Sequence, residues 1–124
     1  MSRLKILIVD DESAIRELIS EILTKENYEV TGAANGRLAL DLCKQQSFAL
    51  ILTDERMPGG GAKELLAGLR QISNAHIPVI LMTGHSDISE ARSADFAQVF
   101  TKPFPPRDLV AAINAILEAN GSRD

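Results

Sequence analysis

Short runs of apolar residues alternate along this chain with amphipathic helical patterns, and this alternation constrains the fold more than any other feature. Four such runs cover residues 6–9, 49–52, 79–82 and 99–100, and a fifth strand is predicted over 29–33. Continuous apolar runs of this length are typical of strands that are buried on both faces, as in a parallel sheet.

Sequences with apolar residues at helical spacing lie between and after these runs. Helices are predicted over 14–25, 37–45, 63–72 and 106–120, with a short one over 88–94. In the first helix the predicted apolar stripe consists of Ile15, Leu18, Ile19, Ile22 and Leu23. The order βαβαβαβαβα predicts an α/β fold, a single doubly wound five-stranded parallel sheet with right-handed crossovers. We expect one domain over residues 1–124, and no output domain within this chain, because only residues 122–124 follow the last predicted helix and its capping residue Gly121.

Composition excludes several classes of function. The formal net charge is −4 over 124 residues, which argues against direct binding of nucleic acid because that needs a clustered positive surface. Neither a signal peptide nor a run long enough to span a membrane is present in the sequence. The single cysteine, Cys43, has no partner for an internal disulfide, so a cytoplasmic location is expected.

Polar residues follow the predicted strands at the edge where an open parallel sheet carries its reactive crevice. Asp10 and Asp11 come directly after the first run, Asp54 after the third strand, Thr83 after the fourth and Lys102 after the fifth. Parallel strands bring their carboxyl ends to one edge, so we expect these five side chains to lie close together.

The chemistry of this set indicates phosphoryl transfer. Two carboxylates held about 4 Å apart repel by roughly 4 kcal/mol at an effective dielectric of about 20, so positive charge is needed at the site. Lys102 provides one charge, and the carboxylates of Asp10, Asp11 and Asp54 suit Mg²⁺ or Mn²⁺. Asp54 is then the nucleophile that forms an acyl phosphate, while Lys102 and the Thr83 hydroxyl stabilise the phosphoryl oxygens. The bond between Lys102 and the following proline is a candidate for the cis form.

Four segments resemble, in order, the signatures of response-regulator receiver domains of two-component systems. They are IVDDE at 8–12, LTDERMP at 52–58, MTG at 82–84 and TKPF at 101–104. The resemblance covers essentially the whole chain and implies a flavodoxin-like (βα)5 fold with strand order 2-1-3-4-5. It also implies a phosphohistidine donor, on a sensor histidine kinase or a histidine phosphotransfer domain, that docks on the first helix and the loop after the fifth strand. By position, the resemblance makes the backbone carbonyl of Arg56 a further metal ligand.

These observations predict a phosphoryl-accepting signalling domain rather than an enzyme that turns over a separate substrate. One alternative is a pseudo-receiver that only binds proteins, and another is a small phosphohydrolase that uses an aspartyl-phosphate intermediate. Taken singly, Asp11 and Ser13 are more typical of helix capping, and Asp54 of a loop start. Their joint placement with Lys102 favours the phosphoacceptor. A downstream effector, or a covalently linked kinase as in hybrid histidine kinases, is a further possible partner.

Three positions depart from the receiver pattern. Val99 occupies the usual place of an aromatic switch residue, and neighbouring Phe100 should face the other side of the sheet. The helix predicted over 88–94 is short, and Ala62 replaces a usual glycine. We therefore hypothesise that phosphorylation is retained and that its readout is atypical.

Overall fold

The computed structural model describes residues 3–55, 61–72, 77–84 and 96–119. The strands are β1 (Lys5–Val9), β2 (Glu29–Ala33), β3 (Leu50–Asp54), β4 (Val79–Thr83) and β5 (Gln98–Thr101). The helices are α1 (Ser13–Lys25), α2 (Gly36–Gln45), α3 (Ala62–Ile72) and α4 (Pro106–Ala119). None of these helices is both long and apolar enough to cross a membrane. The helix predicted over 88–94 lies outside the described residues.

All strand pairs are parallel, and the sheet order is β2-β1-β3-β4-β5. This confirms the predicted doubly wound sheet and its strand order. The structure differs at the ends of two strands, because β3 and β4 extend beyond the apolar runs that predicted them. Asp54 and Thr83 are thus the last residues of their strands rather than the first residues of loops.

Alternate residues of the central strands pack on opposite faces of the sheet. One face carries Ile6, Ile8 and Leu52 against α1 and α4, and the other carries Leu7 and Ile51 against α2 and α3. All five side chains are fully buried. Burial on both faces explains why continuous apolar runs, rather than alternating patterns, marked these strands.

Helix α1 differs from the prediction at one position of its apolar stripe. Ile19 and Leu23 are buried, whereas Leu18 is 53% exposed. Consecutive helical residues are about 100° apart, and the buried stripe is centred near Ile19, so Leu18 lies at its solvent edge. The assignment of Leu18 to the core stripe was therefore wrong.

The N-terminus of α1 also bears on the capping alternative. The N-cap residue is Glu12, which has an extended backbone and makes no side-chain capping hydrogen bond. Neither Asp11 nor Ser13 occupies the capping position. Helix capping therefore does not account for the acidic residues that precede α1.

Strand β5 lies at one edge of the sheet and leads into the turn before α4. Val99 packs beside Leu81, and Phe100 packs on the opposite face, in the cluster between the sheet and α1 and α4. The rings of Phe100 and Phe104 are 5.1 Å apart. The Lys102–Pro103 bond is cis, as predicted. Phe100 thus does not occupy the face on which Val99 replaces an aromatic residue.

Candidate functional site

The strand register brings the predicted site residues to one edge of the sheet. Val9 pairs with Thr53, which places Asp10 and Asp54 at the same level on neighbouring strands. The ladder between β4 and β5 continues past its last residue pair, because the Lys102 amide donates to the Thr83 carbonyl at 2.7 Å. Residues far apart in the chain therefore reach the same edge through regular strand pairing.

The ammonium group of Lys102 bridges two carboxylates. Its Nζ lies 3.3 Å from Asp54 Oδ1 and 3.5 Å from Asp10 Oδ2. The Asp10 side chain is 0% exposed and that of Asp54 is 16% exposed, so water screens these pairs only partly. The predicted meeting of Asp10, Asp54 and Lys102 is observed in the structure.

Backbone groups hold both carboxylates in place. Asp10 Oδ1 accepts a hydrogen bond from the Glu12 amide, and Asp54 Oδ1 accepts one from the Glu55 amide, each at 2.9 Å. The Arg16 guanidinium donates to the Asp10 carbonyl and ties α1 to the end of β1. These contacts fix the orientation of the acidic side chains before any ligand arrives.

The negative charge at the site exceeds what Lys102 balances. Burial raises the pKa of the Asp10 carboxyl above its ordinary value, and the charge of Asp54 raises it further. The Glu12 amide and Lys102 lower this pKa without offsetting the increase. Burial alone would lower the pKa of the Lys102 ammonium, but the charges of Asp10 and then Asp54 outweigh it, so that pKa is raised. Lys102 is therefore held in its charged form, but its charge does not offset the effect of burial on the Asp10 carboxyl.

Three carboxylates lie together at the end of β1. In the part of the chain that the structure describes, Asp10, Asp11 and Glu12 each place one carboxylate oxygen within 4.8 Å of the others. This is a set of hard oxygen donors, of which one is fully buried and two are exposed to water. Such a set suits a hydrated divalent cation like Mg²⁺, which takes one or two carboxylates and keeps several waters. The donors present therefore fit the expected metal.

The Thr83 hydroxyl is at the site, and its partner is an acidic side chain. Thr83 Oγ1 donates to Glu55 Oε1 at 2.7 Å, and Thr83 is 0% exposed. Sequence reasoning assigned no role to Glu55, because contact between these two side chains depends on the register of β3 and β4. The adjacency of Glu55 to Asp54 is the only signal that the sequence offers.

Two further residues at this edge, Glu12 and Arg16, were given no role by the sequence. Glu12 joins the acidic cluster and Arg16 contacts the Asp10 carbonyl. Arg56, the predicted carbonyl ligand, lies outside the described residues. Its role remains a prediction from the resemblance.

Comparison with known proteins identifies the family. Residues 6–114 match the model of the response regulator receiver domain. The chain belongs to the response regulator receiver family. The matched segment runs from β1 into α4 and includes every predicted site residue of this receiver domain. The resemblance to receiver domains that the four sequence segments indicated is confirmed.

Curated relatives of this receiver domain include proteins of different lengths. Sporulation initiation phosphotransferase F of Bacillus subtilis is 36% identical over 91% of the chain and 93% of the relative. The CpxR homolog of Haemophilus influenzae, a transcriptional regulatory protein, is 36% identical over 95% of the chain but only 52% of the relative. The response regulator FleR of Pseudomonas aeruginosa is 33% identical over 97% of the chain and 26% of the relative. The chain thus spans about half of one relative, about a quarter of another and nearly all of a third.

Solved structures agree with the fold. A CheY-like receiver domain protein from Methanospirillum hungatei has a TM-score of 0.88 and 30% identity, covering 99% of this chain and 100% of that one. The response regulator TrrA from Thermotoga maritima, solved in complex with Mg²⁺-BeF, has a TM-score of 0.80 and 32% identity, covering 92% and 99%. The flavodoxin-like receiver fold is therefore confirmed for this chain.

Proposed function

We propose that this receiver domain, spanning residues 1–124, accepts a phosphoryl group on Asp54 from a phosphohistidine in a Mg²⁺-dependent reaction and signals by changing conformation. The contact of Lys102 with both Asp54 and Asp10 carries this proposal. At one edge of the sheet, Asp54 provides a nucleophile, Lys102 a fixed positive charge and Asp10 a buried acidic group. The membership of the chain in the receiver family supports the same reading.

Asp54 is the proposed nucleophile. Within the described residues its side-chain contacts to Lys102 and to the Glu55 amide both fall on Oδ1, which leaves Oδ2 for attack. Oδ2 forms a bond to phosphorus as the phosphorus–nitrogen bond of the phosphohistidine breaks, and the electron pair returns to the imidazole. The product is an acyl phosphate on Asp54 and a neutral histidine after the ring binds a proton.

The proposed metal ligands are Asp10, Asp11, Asp54 and the carbonyl of Arg56. A bound Mg²⁺ or Mn²⁺ supplies positive charge for the phosphoryl oxygens and for the crowded carboxylates. Asp10 is held in place for this role by the Glu12 amide, and its burial makes a second positive charge favourable.

Lys102 and Thr83 are the proposed stabilisers of the transferred group. Phosphoryl transfer needs little covalent help from the protein beyond positioning and charge stabilisation, so a fixed ammonium group next to the attacked phosphorus is effective. Lys102 already lies against Asp54 and can follow the phosphoryl oxygens with a small movement of its side chain. The Thr83 hydroxyl donates to the side chain of Glu55, the residue that follows Asp54, and it is the proposed second donor to the phosphoryl oxygens.

The proposed donor is a sensor histidine kinase or a histidine phosphotransfer domain that docks on α1 and the loop after β5. The exposed Leu18 provides an apolar contact on α1. A cytoplasmic location is expected for such an exchange. We also propose a downstream effector or a covalently linked kinase as a partner, because relatives such as FleR extend well beyond the matched segment.

Incubation with acetyl phosphate and Mg²⁺, followed by intact mass measurement, tests the proposal. We expect one phosphoryl group to be added to the wild type and to Asp41→Asn, a matched change of an exposed aspartate on α2. Asp54→Asn should add none. Absence of labelling in the folded wild type would favour a protein-binding pseudo-receiver, and rapid release of phosphate from varied esters would favour a hydrolase.

A further inference from the structure

We propose that Glu55 is a positioning residue that holds the Thr83 hydroxyl in the unphosphorylated arrangement, so that phosphorylation must break the Thr83–Glu55 hydrogen bond. This inference rests on the proposed phosphorylation of Asp54. It makes Glu55 a determinant of how readily the domain enters its phosphorylated state.

The contact arises from the register between two central strands. Asp54 pairs with Met82, so the next residues, Glu55 and Thr83, lie beside each other at the carboxyl edge. Thr83 Oγ1 donates to Glu55 Oε1 at 2.7 Å from a fully buried position. The bond therefore links the strand that carries the acceptor to the strand that carries the hydroxyl.

A threonine hydroxyl carries a single hydrogen, so it donates one hydrogen bond at a time. In the described arrangement that hydrogen points to the Glu55 carboxylate. If Thr83 is to donate to a phosphoryl oxygen on Asp54, the bond to Glu55 must be given up. Hydrogen bonds to charged acceptors are among the stronger ones in proteins, so this competition should change the equilibrium by roughly tenfold or more.

The backbone of Glu55 is fixed next to the acceptor. Its amide donates to Asp54 Oδ1 at 2.9 Å, and its carbonyl accepts from the Ala62 amide at 3.1 Å. A Cβ at Gly61 would lie 2.8 Å from the same carbonyl, which shows how closely the chain packs here. The side chain of Glu55, rather than its backbone, is thus the part that can move when Asp54 gains a phosphoryl group.

Charge acts in the same direction as the loss of the hydrogen bond. A phosphoryl group on Asp54 adds negative charge to the residue that precedes Glu55, and like charges repel. Phosphorylation therefore both competes for the Thr83 hydrogen and disfavours the resting position of Glu55. The two effects couple acceptor chemistry to the arrangement of β3 and β4.

The binding of beryllofluoride, a mimic of the phosphoryl group, tests this role when it is measured by isothermal titration at saturating Mg²⁺. We expect Glu55→Ala to tighten beryllofluoride binding about tenfold, and Glu55→Gln, which keeps an acceptor of the same shape without its charge, to fall between Glu55→Ala and wild type. Glu64→Ala, which removes an exposed acidic side chain from the first turn of α3, should match wild type within twofold.

A double-mutant cycle separates the hydrogen bond from a general effect of charge. In a Thr83→Val background the Glu55→Ala change should tighten beryllofluoride binding clearly less than in the wild-type background, because no hydroxyl remains to be released and only the charge repulsion is relieved. An equal effect in both backgrounds would overturn the inference, as would affinity in Glu55→Ala and Glu55→Gln that equals or falls below that of wild type. Failure of the wild type itself to bind would instead overturn the proposed phosphorylation, and this inference with it.

Discussion

The Nζ atom of Lys102 lies 3.3 Å from Asp54 Oδ1, although the two residues are 48 positions apart in the chain. The strand that precedes Lys102 is at the edge of the sheet, whereas Asp54 ends its central strand, and β4 lies between them. A long, flexible side chain is needed to cover that separation, since neighbouring strands are about 4.8 Å apart. The position of the Lys102 ammonium group therefore depends on how β3, β4 and β5 lie beside one another.

Replacement of Lys102 by methionine should slow phosphorylation of Asp54 by acetyl phosphate roughly 100-fold, the usual effect of removing one group that stabilises the transferring charge. The rate of mass increase at saturating Mg²⁺ measures this effect. Lys25→Met, which removes an exposed lysine from the last turn of α1, should phosphorylate at the wild-type rate. A Lys102→Met protein that reacts as fast as wild type would contradict the role given to the ammonium group.

Replacement of Asp10 by asparagine should raise the free energy of unfolding at pH 7 without metal by about 1 kcal/mol, the common scale of single substitutions. Because the folded-state pKa of Asp10 is raised above its ordinary value of 3.8, the folded wild type holds more protons than the unfolded chain between these two values. Wild-type stability attributable to Asp10 therefore falls as pH rises through that interval. Urea unfolding followed by circular dichroism should show the advantage of Asp10→Asn growing from about pH 4 upward and disappearing at lower pH.

Magnesium should reverse that order of stability. At ten times its dissociation constant, Mg²⁺ should raise the free energy of unfolding of wild type by about 1.4 kcal/mol, and EDTA should remove the gain. Asp10→Asn should show no gain. NaCl at matched ionic strength controls for screening of the carboxylates, and equal stabilisation by NaCl would argue against a specific metal site.

The meeting of Asp10, Asp54 and Lys102 could be predicted from the sequence because all three residues lie at or next to strand ends. The apolar runs identified the strands, since both faces are buried, and parallel order then placed Asp10, Asp54 and Lys102 at one edge. Properties that depend on neighbours in three dimensions were harder to predict. Leu18 was assigned to the core because helical spacing does not show where the edge of a buried stripe falls. Glu55 was missed because its partner Thr83 is set by the register of β3 and β4.

Replacement of Gly61 by alanine should lower the free energy of unfolding by roughly 1–3 kcal/mol, the range found when extra atoms are forced into a packed region. The added methyl group would approach the Glu55 carbonyl to 2.8 Å, and a backbone atom cannot move aside as a flexible side chain can. Gly84→Ala is the matched control, since a Cβ there meets nothing within 4 Å. Chemical denaturation should show a change of less than about 0.5 kcal/mol for that control.

The hypothesis of an atypical readout predicts small changes in β5. In spectra with and without Mg²⁺ and beryllofluoride, the Thr83 and Lys102 amides should shift strongly, whereas the Phe100 ring signals should stay nearly constant. Phe100 lies against Phe104 on the face opposite Val99, so its ring cannot replace an aromatic side chain at position 99. Large shifts of the Phe100 ring would show that β5 transmits the signal after all.

The order of the strands along the chain also sets the order in which the charges of the site become available during protein synthesis. Asp10 and Asp54 leave the ribosome before Lys102, which follows Asp10 by 92 positions. Chains are made from the N-terminus at about 5–20 residues per second, so a nascent chain holds both acidic residues for seconds before their lysine exists. During that interval Lys102 cannot balance the two carboxylates, and the edge strand that completes the sheet is followed directly by this counter-charge.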